Sequence, residues 1–276
     1  MVTTLNLLAC FNHIEKTEPI TSGLSSDSYK VYADNKAFFA KRISNPFEAI
    51  ASKQGASINI SPTVIYHDDD WLVTEFIDAK NLSSMPVHLD KKISLSINLM
   101  TNYHQTKIKT TKLVPKNVID EIINNVSFPS NYRHELLQIA ESILEPLPNI
   151  SNVVSCHGDL NFSNVLVDQQ NKAWLVDYEC VNNAPAEYDL AMFVAINNIE
   201  INKITMILEQ YNNYSPYYID SSILEHYINF SYFINALWYI QAYQKTNLVQ
   251  FNFLAKQQWQ KLQLNRNSHL ILANLI

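Results

Sequence analysis

Glycine is nearly absent from this sequence, with 3 in 276 residues, at Gly23, Gly55 and Gly158. Gly23 has no second glycine near it, so the loop it opens is not a glycine-rich one. Cysteine is equally scarce. Cys10, Cys156 and Cys180 form an odd set with no C-x-x-C pair, which suggests neither a disulfide framework nor a zinc site and makes a reducing cytoplasm the expected compartment. Charged residues reach only 17%, without a long charge run, against 47% hydrophobic residues, so a globular chain is expected rather than a disordered one. Basic residues are in the minority, 20 against 26 acidic ones. The net charge of −6 argues against nucleic acid as a partner and suits a cationic one better. No run of eighteen apolar residues occurs, so no membrane span is expected. The apolar patch from Leu5 to Phe11 has neither basic residues ahead of it nor a small-residue cleavage pattern, unlike a signal peptide.

What is present divides by pattern. Residues 3–16 carry helix spacing, and from Ile20 the order becomes strand, loop, strand, turn, strand. The loop runs from Ser22 to Ser28, and the strands from Tyr29 to Tyr32 and Ala37 to Ile43 flank the turn Asp34-Asn35. The last strand includes Phe38-Phe39-Ala40-Lys41, similar to the V-A-I-K strand whose lysine pairs with nucleotide phosphates. Alternation puts Phe39 and Lys41 on one face and Phe38, Ala40 and Arg42 on the other, which leaves open which basic residue faces inward. Glu48 opens a short helical pattern, where a carboxylate can orient the lysine or simply favour the helix dipole. Two more strands, Thr63 to Tyr66 and Trp71 to Ile77, flank Asp68-Asp69-Asp70. Three consecutive aspartates lack the spacing of a calcium loop, so a hairpin turn is expected there. Helical spacing then takes over, which sets a lobe boundary at Asp78 to Leu82. Helices are expected over 89–107, over 117–144 with an interruption at Phe128-Pro129, and over 201–210, 220–245 and 248–264.

The stretch from Cys156 to Glu179 carries the chemistry. Asp159 and Asn164 are separated as are the Asp and Asn of the catalytic loop H-R-D-L-x-x-x-N, and Asp159 is likewise followed by Leu160. Asp177 ends the apolar run Trp174-Leu175-Val176 where a D-F-G aspartate would stand, with Tyr178 and Glu179 in place of Phe and Gly. Two short strands, 164–168 and 172–177, around Gln169-Gln170-Asn171 would bring Asn164 and Asp177 to neighbouring strand ends, so that two oxygen ligands face one ion. Magnesium prefers such sparse sites, completed by water and phosphate oxygens. The later helices are rich in aromatics. Most are expected in the core, with Trp238 and Tyr243 as the candidates for a box around an organic cation.

With these residues assembled, the chain resembles the choline/ethanolamine kinase and aminoglycoside phosphotransferase superfamily, which includes thiamine kinase-like proteins. The resemblance runs from Ser22-Gly23-Leu24-Ser25 through Glu75-Phe76-Ile77 and Tyr103-His104-Gln105-Thr106 to Asp189-Leu190-Ala191. It is most specific at His157-Gly158-Asp159, Asn164 and Val176-Asp177-Tyr178-Glu179. It implies an α+β, two-lobed, protein-kinase-like fold: a small antiparallel-sheet N-lobe over 1–78 and a mainly helical C-lobe over 79–276. Asp159 would be the base for a substrate hydroxyl, Asn164 and Asp177 the Mg2+ ligands, and Lys41 the contact to the phosphates of ATP. Ser25 and Ser26 would cover those phosphates, and the backbone from Glu75 through Phe76 to Ile77 would hydrogen-bond adenine. Supporting roles fall to His157, Glu48, Glu179 and Asp189, the last bracing the catalytic loop. Asp78-Ala79-Lys80 departs from the family by replacing the glycine common just past the hinge. The implied activity is phosphoryl transfer to a small cationic alcohol such as choline, ethanolamine or thiamine. The rivals are an aminoglycoside-type kinase, disfavoured by the lack of Asp or Glu in the last thirty residues, and a nucleotide-binding pseudoenzyme.

Overall fold

The computed structural model describes Leu5 and residues 8–20, 27–148 and 153–262. The chain forms two compact units, one made of residues 1–110 with 159–181 and the other of 111–158 with 182–276. The change from strand to helix near residue 78 therefore lies inside the first unit. The helix over 89–104 and the central hairpin belong to the same unit, and they pack against each other.

In the first unit a five-stranded antiparallel sheet has the order β1-β2-β3-β5-β4, with β1 Ile14–Pro19, β2 Ser28–Ala33, β3 Lys36–Arg42, β4 Val64–His67 and β5 Trp71–Glu75. Residues 14–16 are thus strand, where helix spacing was expected, because they pair with β2. The β2–β3 hairpin turns through Asp34 and Asn35, both left-handed at φ 51° and 61°, which is the two-residue turn that suits the twist of paired strands. At the β4–β5 turn Asp68 Oδ1 accepts from the amides of Asp70 and Trp71, so the aspartate run is a hairpin turn. Val31, Ala33, Phe38, Ala40, Trp71 and Val73 bury one face of the sheet against Leu5 and Leu8. After β3 comes α1, Glu48–Ser57; the side chain of Asn45 accepts from the Phe47 amide at its entry.

A second sheet in this unit orders β6 Ala79–Asn81, β8 Val165–Asp168 and β9 Ala173–Leu175 as β6-β8-β9, and α2 spans Leu89–His104. The β8–β9 turn closes as expected, with Asp168 Oδ1 accepting from the Gln170 and Lys172 amides and Asn171 left-handed at φ 62°.

The second unit is mainly helical: α3 Pro115–Asn125, α4 Ser130–Leu144, α5 Ala186–Ile196, α6 Ile204–Tyr214, α7 Ser221–Thr246 and α8 Val249–Lys261, with the small pair β7 Val154–Cys156 and β10 Asn182–Ala184. The expected break at Phe128-Pro129 separates α3 from α4. Nearly every side chain of α5 is buried, so this helix is the core of the unit and α7 packs along it. The ring of Phe233 on α7 meets that of Trp259 on α8, and Gln258 donates to the Ala195 carbonyl. The long α7 is closed at both ends. Asp220 accepts from the amides of Ser222 and Ile223, and Asn247 ends the helix in the left-handed conformation. Among the described residues no helix is long and apolar enough to cross a membrane.

Because its carboxylate satisfies two helix-end amides, Asp220→Ala should lower stability by about 1 kcal/mol, read as a thermal midpoint ~2–4 °C lower. Tyr218→Ser, two residues away and 81% exposed, should shift the midpoint hardly at all.

Candidate functional site

The chemistry-bearing residues of the first unit are assembled by three short pieces of chain. Lys41 comes from the inner sheet strand β3, Glu48 from the first turn of α1, and Asp159 to Glu179 from the loop and hairpin around β8 and β9. Lys41 is 6% exposed. Its Nζ lies 2.9 Å from Glu48 Oε1, 2.5 Å from Asp177 Oδ1 and 3.4 Å from Glu179 Oε2. Arg42, its neighbour on the strand, points the other way to an exposed pairing with Asp70. The question that alternation left open is thereby answered in favour of Lys41. Burial alone would lower the lysine pKa, but the carboxylates of Asp177, Glu48 and Glu179 overcome it and hold the ammonium above the usual range. Burial pushes the Glu48 carboxyl up, against the pull of Lys41.

The Asp159 carboxylate is gripped by two side-chain amides. Its Oδ2 accepts from Asn164 Nδ2 at 3.0 Å and from Asn161 Nδ2 at 3.2 Å. Asn164 Nδ2 also donates to the Asp159 carbonyl at 2.9 Å, so its amide nitrogen is committed to Asp159 and its Oδ1 is the oxygen left for a cation. The Val176 amide donates to the Asn164 carbonyl at 3.0 Å, which places Asn164 beside the segment leading from β9 to Asp177; the strand itself stops at Leu175, short of the expected 172–177. Asp177 has a left-handed backbone, φ 69°. Strain of this kind in a non-glycine residue gathers at functional sites.

This donor set fits a magnesium ion: hard amide and carboxylate oxygens, with the second oxygen of Asp177 bonded to no described residue. Three carboxylates, Glu48, Asp177 and Glu179, share the single ammonium of Lys41. Burial, and then the charge of Asp177, push Asp159 up to about 7.

Other expected residues fall as follows. Ser25 and Ser26 lie outside the described residues. The Glu75 amide donates to the Thr63 carbonyl and that of Phe76 to the Ala37 carbonyl. Among the described residues the backbone groups of Ile77 have no such partner, so Ile77 is the part of the edge open to a base. In the second unit Asp189, fully buried, accepts from the amides of His157 at 3.0 Å and Gly158 at 2.8 Å. Gly158 is left-handed at φ 79°. Trp238 is 45% exposed and packs edge-on against Tyr239 and Phe251. Tyr243 lies five residues further along the same continuous helix. Five residues turn an α-helix by about 140° from its starting face, so the two rings do not share a side.

Asn161, Asn45 and Ser61 were not singled out in the sequence. Asn161 had a local signal, since an asparagine two residues after an aspartate is placed to close a turn. Its Oδ1 accepts from the amides of Ser163 and Asn164 while its Nδ2 holds Asp159.

Residues 124–218 match the phosphotransferase enzyme family, abbreviated APH. The chain is similar to the structure of a choline/ethanolamine kinase family protein from Mesorhizobium loti, at 18% identity and a TM-score of 0.70 over 100% of this chain and 99% of that one. It is similar to choline kinase LicA from Streptococcus pneumoniae, at 16% identity and a TM-score of 0.71 over 99% and 96%. It is also similar to spectinomycin phosphotransferase APH(9)-Ia in complex with ADP and spectinomycin, at 16% identity and a TM-score of 0.64 over 99% and 97%. The fold is therefore that of the choline/ethanolamine kinases and aminoglycoside phosphotransferases, an antiparallel-sheet region followed by a helical one, in agreement with the resemblance seen in the sequence.

A carboxyl raised in the folded state binds its proton more tightly there than in the unfolded chain. Folding is thus favoured at acid pH and loses stability as pH rises through about 7. Asp159→Asn should relieve this in the metal-free protein. At pH 8 its thermal midpoint should lie roughly 4–8 °C above the unsubstituted chain, and the gain should shrink as the pH falls and vanish near 4.

Proposed function

We propose that this chain is a small-molecule kinase that transfers the γ-phosphoryl group of ATP, with Mg2+, to the hydroxyl of a small cationic alcohol. The observation that carries this reading is the convergence in one unit of a gripped carboxylate, Asp159, with the amide oxygen of Asn164 and with Asp177, itself bonded to a buried lysine. Phosphoryl transfer asks little covalent chemistry of a protein and much positioning and charge neutralisation. The Asp159 carboxylate, held through Oδ2 by Asn161 and Asn164, would accept the proton of the alcohol as the alcohol oxygen bonds to phosphorus and ADP leaves. Lys41, already freed from water by burial, would exchange part of its carboxylate contact for nucleotide phosphates. Asn164 and Asp177 would hold Mg2+, which supplies charge neutralisation between the phosphates when bound. Ile77 would bond the adenine, and Asp189 would keep the His157-Gly158 backbone fixed ahead of the base.

A cationic acceptor is supported by the surplus of carboxylates around Lys41 and by the net charge of −6. The likeness to choline and ethanolamine kinases supports the same class. The likeness to a spectinomycin phosphotransferase favours a second reading, an antibiotic kinase. Three free cysteines suit a reducing cytoplasm.

The test is ADP release coupled to a panel of choline, ethanolamine, thiamine, spectinomycin and an aminoglycoside. Turnover on choline, ethanolamine or thiamine is expected, with kcat lowered ~10²–10⁴-fold in Asp159→Asn. Turnover on the antibiotics alone would move the assignment to the second reading. Mg2+-dependent ATP binding with no phosphorylated product would make the chain a pseudoenzyme.

A further inference from the structure

Gly55 stands inside α1, two residues before the helix ends at Ser57, where glycine is unfavourable relative to alanine. The reason is steric. A Cβ at Gly55 would lie 2.3 Å from Ser61 Oγ and 2.5 Å from the Tyr178 hydroxyl. Those two hydroxyls bond each other at 2.6 Å across 117 residues of chain. Both side chains are buried, Ser61 at 3% and Tyr178 at 1% exposure, and the Tyr178 ring lies against that of Tyr103 on α2 with centroids 5.0 Å apart. Glycine on this helix therefore makes room for one hydrogen bond.

That bond sits next to Asp177, whose left-handed backbone is held from both sides. On one side the Leu175 amide donates to the Ile60 carbonyl at 2.7 Å and the Val176 amide to the Asn164 carbonyl at 3.0 Å. On the other side the side chain of Tyr178 is bonded to Ser61, and the Glu179 carbonyl accepts from Asn45 Nδ2 at 2.8 Å. Glu48 and Gly55 lie two turns apart on one face of α1, so that face grips the segment twice. It acts once through Glu48, Lys41 and Asp177, and once through Gly55, Ser61 and Tyr178.

We propose that Tyr178 is a positioning residue for Asp177, its hydroxyl locked to Ser61 in the space left by Gly55, so that α1 and the Asp177 carboxylate are set as one unit for cation binding. This rests on the reading of Asp177 as a cation ligand. A phenylalanine at 178 would fill the same pocket by apolar packing alone; the hydroxyl adds direction, because a hydrogen bond fixes the ring along its long axis.

The experiment is Mn2+ binding to the full chain in the presence of a non-hydrolysable ATP analogue, followed by electron paramagnetic resonance, with circular dichroism and thermal midpoints alongside. Tyr178→Phe and Ser61→Ala should each weaken Mn2+ binding roughly fivefold with helical content unchanged. The double variant should be no weaker than either single one, because both remove the same bond. Gly55→Ala should weaken binding in the same way despite the better helix propensity of alanine. Variants that lose thermal stability yet bind Mn2+ within twofold of the unsubstituted chain would reduce Tyr178 to a packing role and overturn the proposal. A more stable Gly55→Ala protein with undiminished Mn2+ affinity would overturn it as well. If the unsubstituted chain binds no Mn2+ with nucleotide, the cation-ligand reading itself fails and takes this inference with it.

Discussion

Lys41 is a buried ammonium among carboxylates, and the first unit is arranged around that fact. A lone buried ammonium costs several kcal/mol of desolvation. Glu48 and Asp177 reach it from separate pieces of chain, with Glu179 at the edge of contact. The sheet register that turns Lys41 inward, the start of α1 at Glu48 and the turn that brings back Asp177 are thus mutually dependent. One positive charge does not balance three carboxylates. The remaining demand for positive charge is the physical ground on which the proposed divalent cation and cationic acceptor rest.

Much of this was legible because it is local. The Asp159–Asn164 spacing and the hairpin between Asn164 and Asp177 lie within twenty residues, and turn chemistry fixes their relation. Lys41 against Arg42 was not legible. Phe38, Ala40 and Lys41 are all buried, so β3 buries side chains from both faces and alternation loses its meaning there. The Ser61–Tyr178 bond spans 117 residues, and nothing in either neighbourhood announces it. Gly55 gave the one hint, as a helix-interior glycine in a chain that otherwise avoids the residue. The cation box at Trp238 and Tyr243 was drawn from composition, and helix geometry separates the two rings.

Asp189 stands in the first turn of α5, and at 0% exposure it would be costly without partners. Its two oxygens accept from the successive amides of His157 and Gly158, the second of which needs a left-handed backbone. The glycine there serves the turn rather than a phosphate.

Scarcity of glycine did not make left-handed turns scarce. Asp34, Asn35, Asn59, Asn171, Asp177, Asn198 and Asn247 all adopt positive φ, and every one is Asn or Asp. Such residues leave the unfolded chain less freedom than glycine would, so less conformational entropy is lost at each turn. They also set a rule of exchange. At six of these positions the backbone asks for a residue that tolerates the left-handed region, and at Asp34, Asn59 and Asn198 the side chain also accepts a hydrogen bond. At Asp177 the same backbone also has to present a negative charge, so this is the one left-handed turn among the described residues where substitution that preserves the shape still removes the chemistry.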